Sequence, residues 1–203
     1  MQQDRQLELI LIELISSRIC HDLVGPVGAV NAGAELMDEA GGTDDEALAL
    51  MRRSGQEAQR RLQLFRMAYG RAGNSVDAST LHKTVTQAYE ADGKVRLVWT
   101  DYRGIDAVTG RVVLNMIMMA REALPFGGEI SVQHDSEKKI RVVAQGKRAA
   151  IRSEIEKVLS GPVDPQELDP RNIQGFFARN LAEKMGRTLA VEAKENSVTL
   201  IYV

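Results

Sequence analysis

One cysteine, Cys20, in 203 residues excludes an internal disulfide framework and fits a reducing compartment. On the wheel of the helix that contains it, Cys20 falls at the edge of the apolar face, which predicts a buried, inert thiol. Charge of one sign is not in excess either: 26 basic and 28 acidic residues leave a formal net charge of −2. That balance argues against nucleic acid as the main partner. No apolar run approaches the roughly 20 residues that span a bilayer, so no membrane partner is expected. The N-terminus carries Asp4 and Glu8 without a basic region, which does not read as a signal peptide, and a cytoplasmic location is expected. Cysteine, histidine and carboxylates nowhere cluster at metal-ligand spacing, and there is no serine-nucleophile arrangement, internal repeat or low-complexity tract.

What is present divides into two patterns. Apolar residues recur at helical spacing from about Leu7 to Met37, predicting one long helix over about 4–40 that Gly41-Gly42 ends. Thr43-Asp44-Asp45-Glu46 has the form of a capping box for a second helix running to about Gly70. Within it Leu48, Met51, Gly55, Ala58, Leu62, Phe65 and Tyr69 recur in steps of three and four, the seam of a bundle. Arg52, Arg53, Arg60, Arg61 and Arg66 occupy its other faces, where a solvated surface explains them as well as a function does. A two-residue break makes the helices an antiparallel hairpin, and a hairpin of this length cannot bury both seams alone. A homodimer through residues 1–72, forming a four-helix bundle, is the simplest cover.

Arg71-Ala72-Gly73-Asn74-Ser75 is the expected boundary. Residues 76–203 then read as a mixed domain. Helices are predicted over 80–91, 106–124, 149–159 and 171–185, and strands over 95–99, 129–134, 140–145, 188–193 and 197–203. A turn at residues 135–139 joins the second and third strands. The expected fold class is α+β: an N-terminal antiparallel helical hairpin followed by an α/β two-layer sandwich.

Inside the first helix lies His21-Asp22-Leu23-Val24-Gly25-Pro26-Val27. On the wheel Ile12, Ile15, Ile19, Leu23, Val27, Val30 and Met37 fall opposite His21, so the core is expected to face away from it. Gly25, Gly28, Ala29 and Ala32 lie on its own side, a shallow strip of small residues able to admit another helix. A lone histidine on a helix is ordinarily a surface or capping residue. Two features weigh against that reading here. A carboxylate follows it, and Pro26 removes a backbone donor five residues on, at roughly 3 kcal/mol for a helix interior. Imidazole is partly unprotonated at cellular pH and can attack phosphorus, and an adjacent carboxylate can orient the ring or take its proton.

The motif resembles the phospho-accepting H-box of sensor histidine kinases. Residues 114–124, Leu-Asn-Met-Ile-Met-Met-Ala-Arg-Glu-Ala-Leu, look like the N-box helix of those kinases. There Met119 stands where the resemblance implies a Mg²⁺-coordinating asparagine, and a thioether is a poor ligand for so hard a cation. Val143-Ala144-Gln145-Gly146-Lys147 has no aspartate and one glycine where an Asp-x-Gly-x-Gly loop is implied, and no Gly-rich phosphate lid precedes Asn172. An intact H-box on a kinase frame with a degraded nucleotide site is similar to the ChpT-type histidine phosphotransferases. That similarity runs over nearly the whole chain and includes Pro125-Phe126-Gly127-Gly128 and Gln174-Gly175 with Leu181-Ala182; Phe126 departs from the arginine usual in the family.

The resemblance implies a dimeric four-helix bundle with His21 as phospho-acceptor and Asp22 beside it, and a degenerate kinase-like ATPase domain over 76–203 that does not bind ATP. It implies a phosphorelay in which His21 takes a phosphoryl group from the receiver aspartate of a CckA-like hybrid kinase. CtrA-like and CpdR-like response regulators would receive it. No bound cofactor is implied, Mg²⁺ being expected from the receiver. A receiver helix would lie on Gly25, Gly28, Ala29 and Ala32, with Arg18 and Asp22 flanking the imidazole; Arg18 either steers phosphate or is a plain surface residue. Two rival readings stay open. One is an active histidine kinase with divergent ATP boxes, which labelled ATP would phosphorylate. The other is a non-catalytic adaptor, for which His21 is dispensable.

Overall fold

The apolar periodicity from Leu7 to Met37 folds as one helix, α1 (Gln2–Glu39), which continues through Pro26. The fold is that of a computed structural model describing residues 2–42, 44–70, 77–91, 93–99, 101, 105–135 and 139–203, the side chains of residues 2–4 excepted. After Gly41-Gly42 the chain reverses into α2 (Asp45–Tyr69). Its N-cap is Asp44, whose carboxylate accepts from the backbone N–H of Glu46 at 2.8 Å and Ala47 at 3.1 Å. The expected capping box opened on Thr43, which lies outside the described residues. So do the expected linker residues 71–75 and the turn residues 136–138.

The hairpin is lopsided. Helix α1 has 38 residues against 25 in α2, so about its first third runs past the end of α2. There Leu7, Ile10, Leu11, Leu14 and Ile15 pack around Val158, Leu168 and Ile173 of the remainder of the chain. That remainder comprises α3 (Ala78–Tyr89), β1 (Val95–Val98), α4 (Ala107–Glu122), β2 (Gly128–His134), β3 (Ile140–Gln145), α5 (Ser153–Ser160), α6 (Ile173–Glu183), β4 (Leu189–Lys194) and β5 (Ser197–Tyr202). Helix α5 starts later than the predicted 149. Ala149 N–H donates to the Gly146 carbonyl and Ala150 N–H to the Ala123 carbonyl, which commits that segment to a turn tied to the end of α4.

The five strands form one sheet in the order β1-β2-β3-β5-β4, parallel between β1 and β2 and antiparallel elsewhere. Ile130, Val132, Ile140, Val142, Ala144, Val198 and Leu200 are buried, while Glu129, Arg141 and Thr199 between them are only half-buried. That alternation leaves one face to the helices and one to water, the expected two-layer sandwich. Gly127 and Gly128 hold φ of +81° and +146°, and a Cβ on either would collide with the Lys94 or Gln145 carbonyl. Only glycine can bring β2 in between β1 and β3 there.

One apolar core joins the hairpin to the sheet domain. Leu64, Phe65 and Ala68 at the end of α2 cluster with Leu81, Val85, Val112, Val113 and Met116. The expected α2 seam is thus incomplete: Gly55 and Leu62 are exposed, whereas Ala47, Leu64 and Ala68, off the seam, are buried. Two different partners, α1 and the α3–α4 pair, press on different sides of α2.

Candidate functional site

The buried line of α1 runs through Arg18, Asp22, Pro26, Ala29 and Gly33, which are buried or half-buried at steps of four, four, three and four. It is turned from the expected stripe. Ile12 and Val27 of that stripe are 63% and 48% exposed, because α2 and the sheet domain pack on the Arg18–Gly33 side. Cys20 is exposed, so the expected buried thiol is corrected by the same rotation. His21 stands clear of both packing faces, its side chain 87% exposed. Its Nδ1 lies 3.2 Å from Asp22 Oδ1. A carboxylate only accepts, so in the neutral ring this hydrogen bond selects the tautomer with the proton on Nδ1 and the lone pair on Nε2.

Pro26 explains a second contact. Lacking an N–H, it leaves the Asp22 carbonyl four residues earlier without its helical donor. Arg61 of α2 supplies one: Nη1 donates to that carbonyl at 2.6 Å. Arg61 is in turn steadied by Glu57, which accepts from its Nε at 2.7 Å and from Arg60 Nη2 at 2.9 Å. Burial alone would push the Glu57 carboxyl up, but the hydrogen bonds and charges of Arg61 and Arg60 outweigh it and hold it below the usual carboxylate range. One of the arginines read as equally well a solvated face therefore repairs the helix turn that carries His21.

Arg18 corrects another expectation. The wheel puts it on the receiver-facing surface, yet its side chain is only 8% exposed. Its guanidinium pairs through Nη2 with Glu122 Oε1 at the end of α4, and Nη1 donates to the Pro170 carbonyl at 3.1 Å. The Nε edge faces Asp22 Oδ2 at 3.9 Å. Burial opposes the charge on Arg18, but Glu122 first, then Tyr69 and Asp22, more than offset it and raise its pKa above the ordinary value. Burial likewise pushes the neighbouring Tyr69 hydroxyl up to about 12. Glu122, Tyr69, Glu57 and Arg61 were all missed as parts of this site. The one local signal was the four-residue spacing of Arg18 and Asp22.

The small-residue strip is open as expected at three of its four positions. Gly25, Gly28 and Ala32 are exposed, and a Cβ on either glycine would meet nothing within 4 Å. Ala29 is half-buried and sits on the line that faces α2. The close helix–helix approach is made instead by Gly33, where a Cβ would stand 2.5 Å from Met51 Cγ and 3.1 Å from the Ala47 carbonyl. Away from the strip, Ile19 of α1 and Leu62, Phe65 and Tyr69 of α2 line an open apolar groove of about 560 Å³.

The α4–α6 layer has been closed by packing. Met119, 1% exposed, lies in the core under α6. A Cβ on Gly175 would stand 2.9 Å from Val158 Cγ2, 3.2 Å from Ile155 Cγ2 and 3.7 Å from Met119 Sδ. Asn115 and Gln174 are fully buried, and Gln174 Nε2 donates to the Asn115 carbonyl at 3.3 Å. A buried thioether among aliphatic groups does not fit a Mg²⁺–nucleotide. Among the described residues no group of three or more His, Cys, Asp and Glu could hold a metal ion, and no helix is long and apolar enough to cross a membrane.

Known proteins resemble this chain over most of its length. The family model described as "Histidine phosphotransferase C-terminal domain" matches residues 79–197. The protein phosphotransferase ChpT of Brucella abortus (strain 2308) is 30% identical over 192 residues, 91% of each chain. A solved structure described as that of a bacterial phosphotransferase superposes with a TM-score of 0.84 at 29% identity, covering 96% of both chains.

Proposed function

The chain belongs to the histidine phosphotransferase family and serves phosphotransfer in a phosphorelay; from that premise we propose that His21 is the residue through which phosphate passes. An almost wholly exposed imidazole, held at Nδ1 by Asp22 and set beside an open strip of small residues, carries this reading. Nε2 attacks the phosphorus of a receiver's aspartyl phosphate, and the N–P bond forms as the P–O bond breaks. The receiver leaves with a free carboxylate. The imidazole keeps its proton on Nδ1 and becomes a phosphoimidazolium, whose positive ring faces Asp22. Delivery to a second receiver is the same step reversed. Little covalent chemistry is asked of the protein beyond positioning and charge, so the Mg²⁺ of the reaction can belong to the receiver.

The partners on this reading are the receiver domains of a CckA-like hybrid kinase and of CtrA-like and CpdR-like regulators, met in the cytoplasm. A receiver helix lies against Gly25, Gly28 and Ala32. Supporting a homodimer through residues 1–72 are the exposed Leu9, Ile12, Val24, Val27 and Leu62 and the apolar groove beside them. A monomer at micromolar concentration by sedimentation would exclude that dimer. The central experiment mixes a receiver domain, phosphorylated with acetyl phosphate, with this chain in the absence of ATP. Label is expected on His21 Nε2 and is expected to vanish in His21→Ala without loss of the fold. Label remaining elsewhere in His21→Ala would move the site, and label from ATP alone would establish a kinase.

A further inference from the structure

We propose that Glu122 is a positioning residue for phosphotransfer: by fixing the Arg18 guanidinium it holds the Asp22 carboxylate against Nδ1 of His21. The proposal rests on the reading that His21 is the phospho-acceptor.

Four side chains from two distant parts of the chain form the link. His21 Nδ1 meets Asp22 Oδ1 at 3.2 Å, and Asp22 Oδ2 faces Arg18 Nε at 3.9 Å. Arg18 Nη2 pairs with Glu122 Oε1. His21 has this one hydrogen-bond contact among the described residues, so whatever sets the Asp22 rotamer also sets the ring. Asp22 is i+1 from His21 on a partly exposed surface, where a short carboxylate acting alone would swing among rotamers. Arg18 prevents this. Its Nε is buried and makes no hydrogen bond, which leaves the Asp22 carboxylate as the group this edge faces. The remainder of the guanidinium is immobilised by Glu122 and the Pro170 carbonyl.

The placement of Glu122 is itself unusual for a helix. It is the last residue of α4, where a carboxylate opposes the negative end of the helix dipole. A charge there disfavours α4, and among the described residues Arg18 is the cation paired with it. The consequence is that the sheet domain, even with its α4–α6 layer filled by core residues, still reaches the phospho-acceptor. It does so through three charged side chains rather than through a nucleotide.

A purely structural ion pair and a positioning pair can be separated. Buried pairs are often replaceable by apolar residues of similar size without loss of stability. The double variant Arg18→Met/Glu122→Leu is therefore expected to keep the wild-type melting temperature to within a few degrees. Its transfer rate from an acetyl-phosphate-loaded receiver, at saturating receiver, is expected to fall about tenfold or more, because small misplacements of reacting groups carry penalties of that order. The receiver concentration at half-maximal rate should not change. The ¹⁵N signals of the His21 ring should move toward a mixture of tautomers, in the same direction as in Asp22→Asn. Wild-type saturated rate and ring signals in the folded double variant would overturn the proposal, as would a defect confined to half-saturation. If the double variant does not fold, Glu122→Gln decides: it keeps the volume and an acceptor oxygen but loses the charge, and it should show the same shift of rate and ring signals. Label that survives His21→Ala refutes the underlying reading instead.

Discussion

Along α1, Gly25 and Gly28 leave open space beside an exposed imidazole, whereas along α6 Gly175 is consumed in contact with Val158, Ile155 and Met119. The same residue type does opposite work because of what lies opposite it. On α1 no helix of this chain covers the glycines, so absence of a side chain keeps a surface free for a visitor. On α6 the glycine lets that helix close down on Val158 and Ile155 of α5 and Met119 of α4. Polar chemistry has survived at the face that stays open, in His21 and Asp22. In the closed layer Asn115 and Gln174 are fully buried in the helix packing.

Substitutions that exchange these two roles should break the contrast. Gly28→Leu is expected to keep the fold, and even to stabilise α1 by up to about 1 kcal/mol by replacing a mid-helix glycine, yet to stop transfer by obstructing the strip. Unchanged transfer from a phosphorylated receiver would remove the strip from the site. Gly33→Leu, one and a half turns on, should do the reverse. Its side chain enters Met51 and the Ala47 carbonyl, and overpacking of this kind costs about 1–3 kcal/mol or more, read as a lower midpoint in urea.

Met119→Asn asks whether the closed layer can be reopened by restoring one ligand. A buried amide without partners is expected to destabilise by about 1–3 kcal/mol, and radiolabelled ATP should still leave His21 unlabelled. Arg61→Met should act more gently, by about 1 kcal/mol, through the Asp22 carbonyl that then lacks a donor in the chain, and it should slow transfer more than it lowers stability.

The smallest expected effect is that of acid. Glu57 and Asp106 are held below the usual carboxylate range in the folded chain: burial opposes this, but Arg61 and Arg60 hold the first, and the N-cap bonds to Thr109 and Val108 the second. A depressed folded pKa contributes stability that is present above the unfolded value near 4 and is lost as pH falls through the folded one. Thermal midpoints should therefore fall steadily below about pH 4. Tyr69 gives the alkaline counterpart. Its hydroxyl, raised to about 12 against about 10 unfolded, contributes stability lost as pH rises across that interval.

The hairpin, the glycine-ended turns and the alternating strands were legible because each is set by neighbours a few residues away. His21, Asp22 and Pro26 are likewise one local pattern, and Gly25, Gly28 and Ala32 lie on the face that a wheel assigns them. What could not be read there depends on distant residues. Arg18 lies next to His21 on the wheel, but its burial is decided by Glu122 and Pro170, more than a hundred positions on. The rotation that exposes Ile12, Cys20 and Val27 comes from the sheet domain leaning on α1, which no single-helix periodicity contains. Gly33 is indistinguishable from Gly28 in the sequence until Met51 is seen to fill the space above it.

The bond from Arg61 to the Asp22 carbonyl also bears on how the hairpin chooses its alignment. Apolar steps of three and four are nearly self-similar, so sliding α2 along α1 by one or two turns would bury comparable side chains. Each turn of slippage moves Arg61 by about 5.4 Å, out of reach of the only α1 carbonyl whose helical donor a proline has removed. Pro26 and Arg61 thus act as a notch and its tooth. The proline that opens the turn at His21 also singles out one alignment among several that hydrophobicity alone would leave nearly equal.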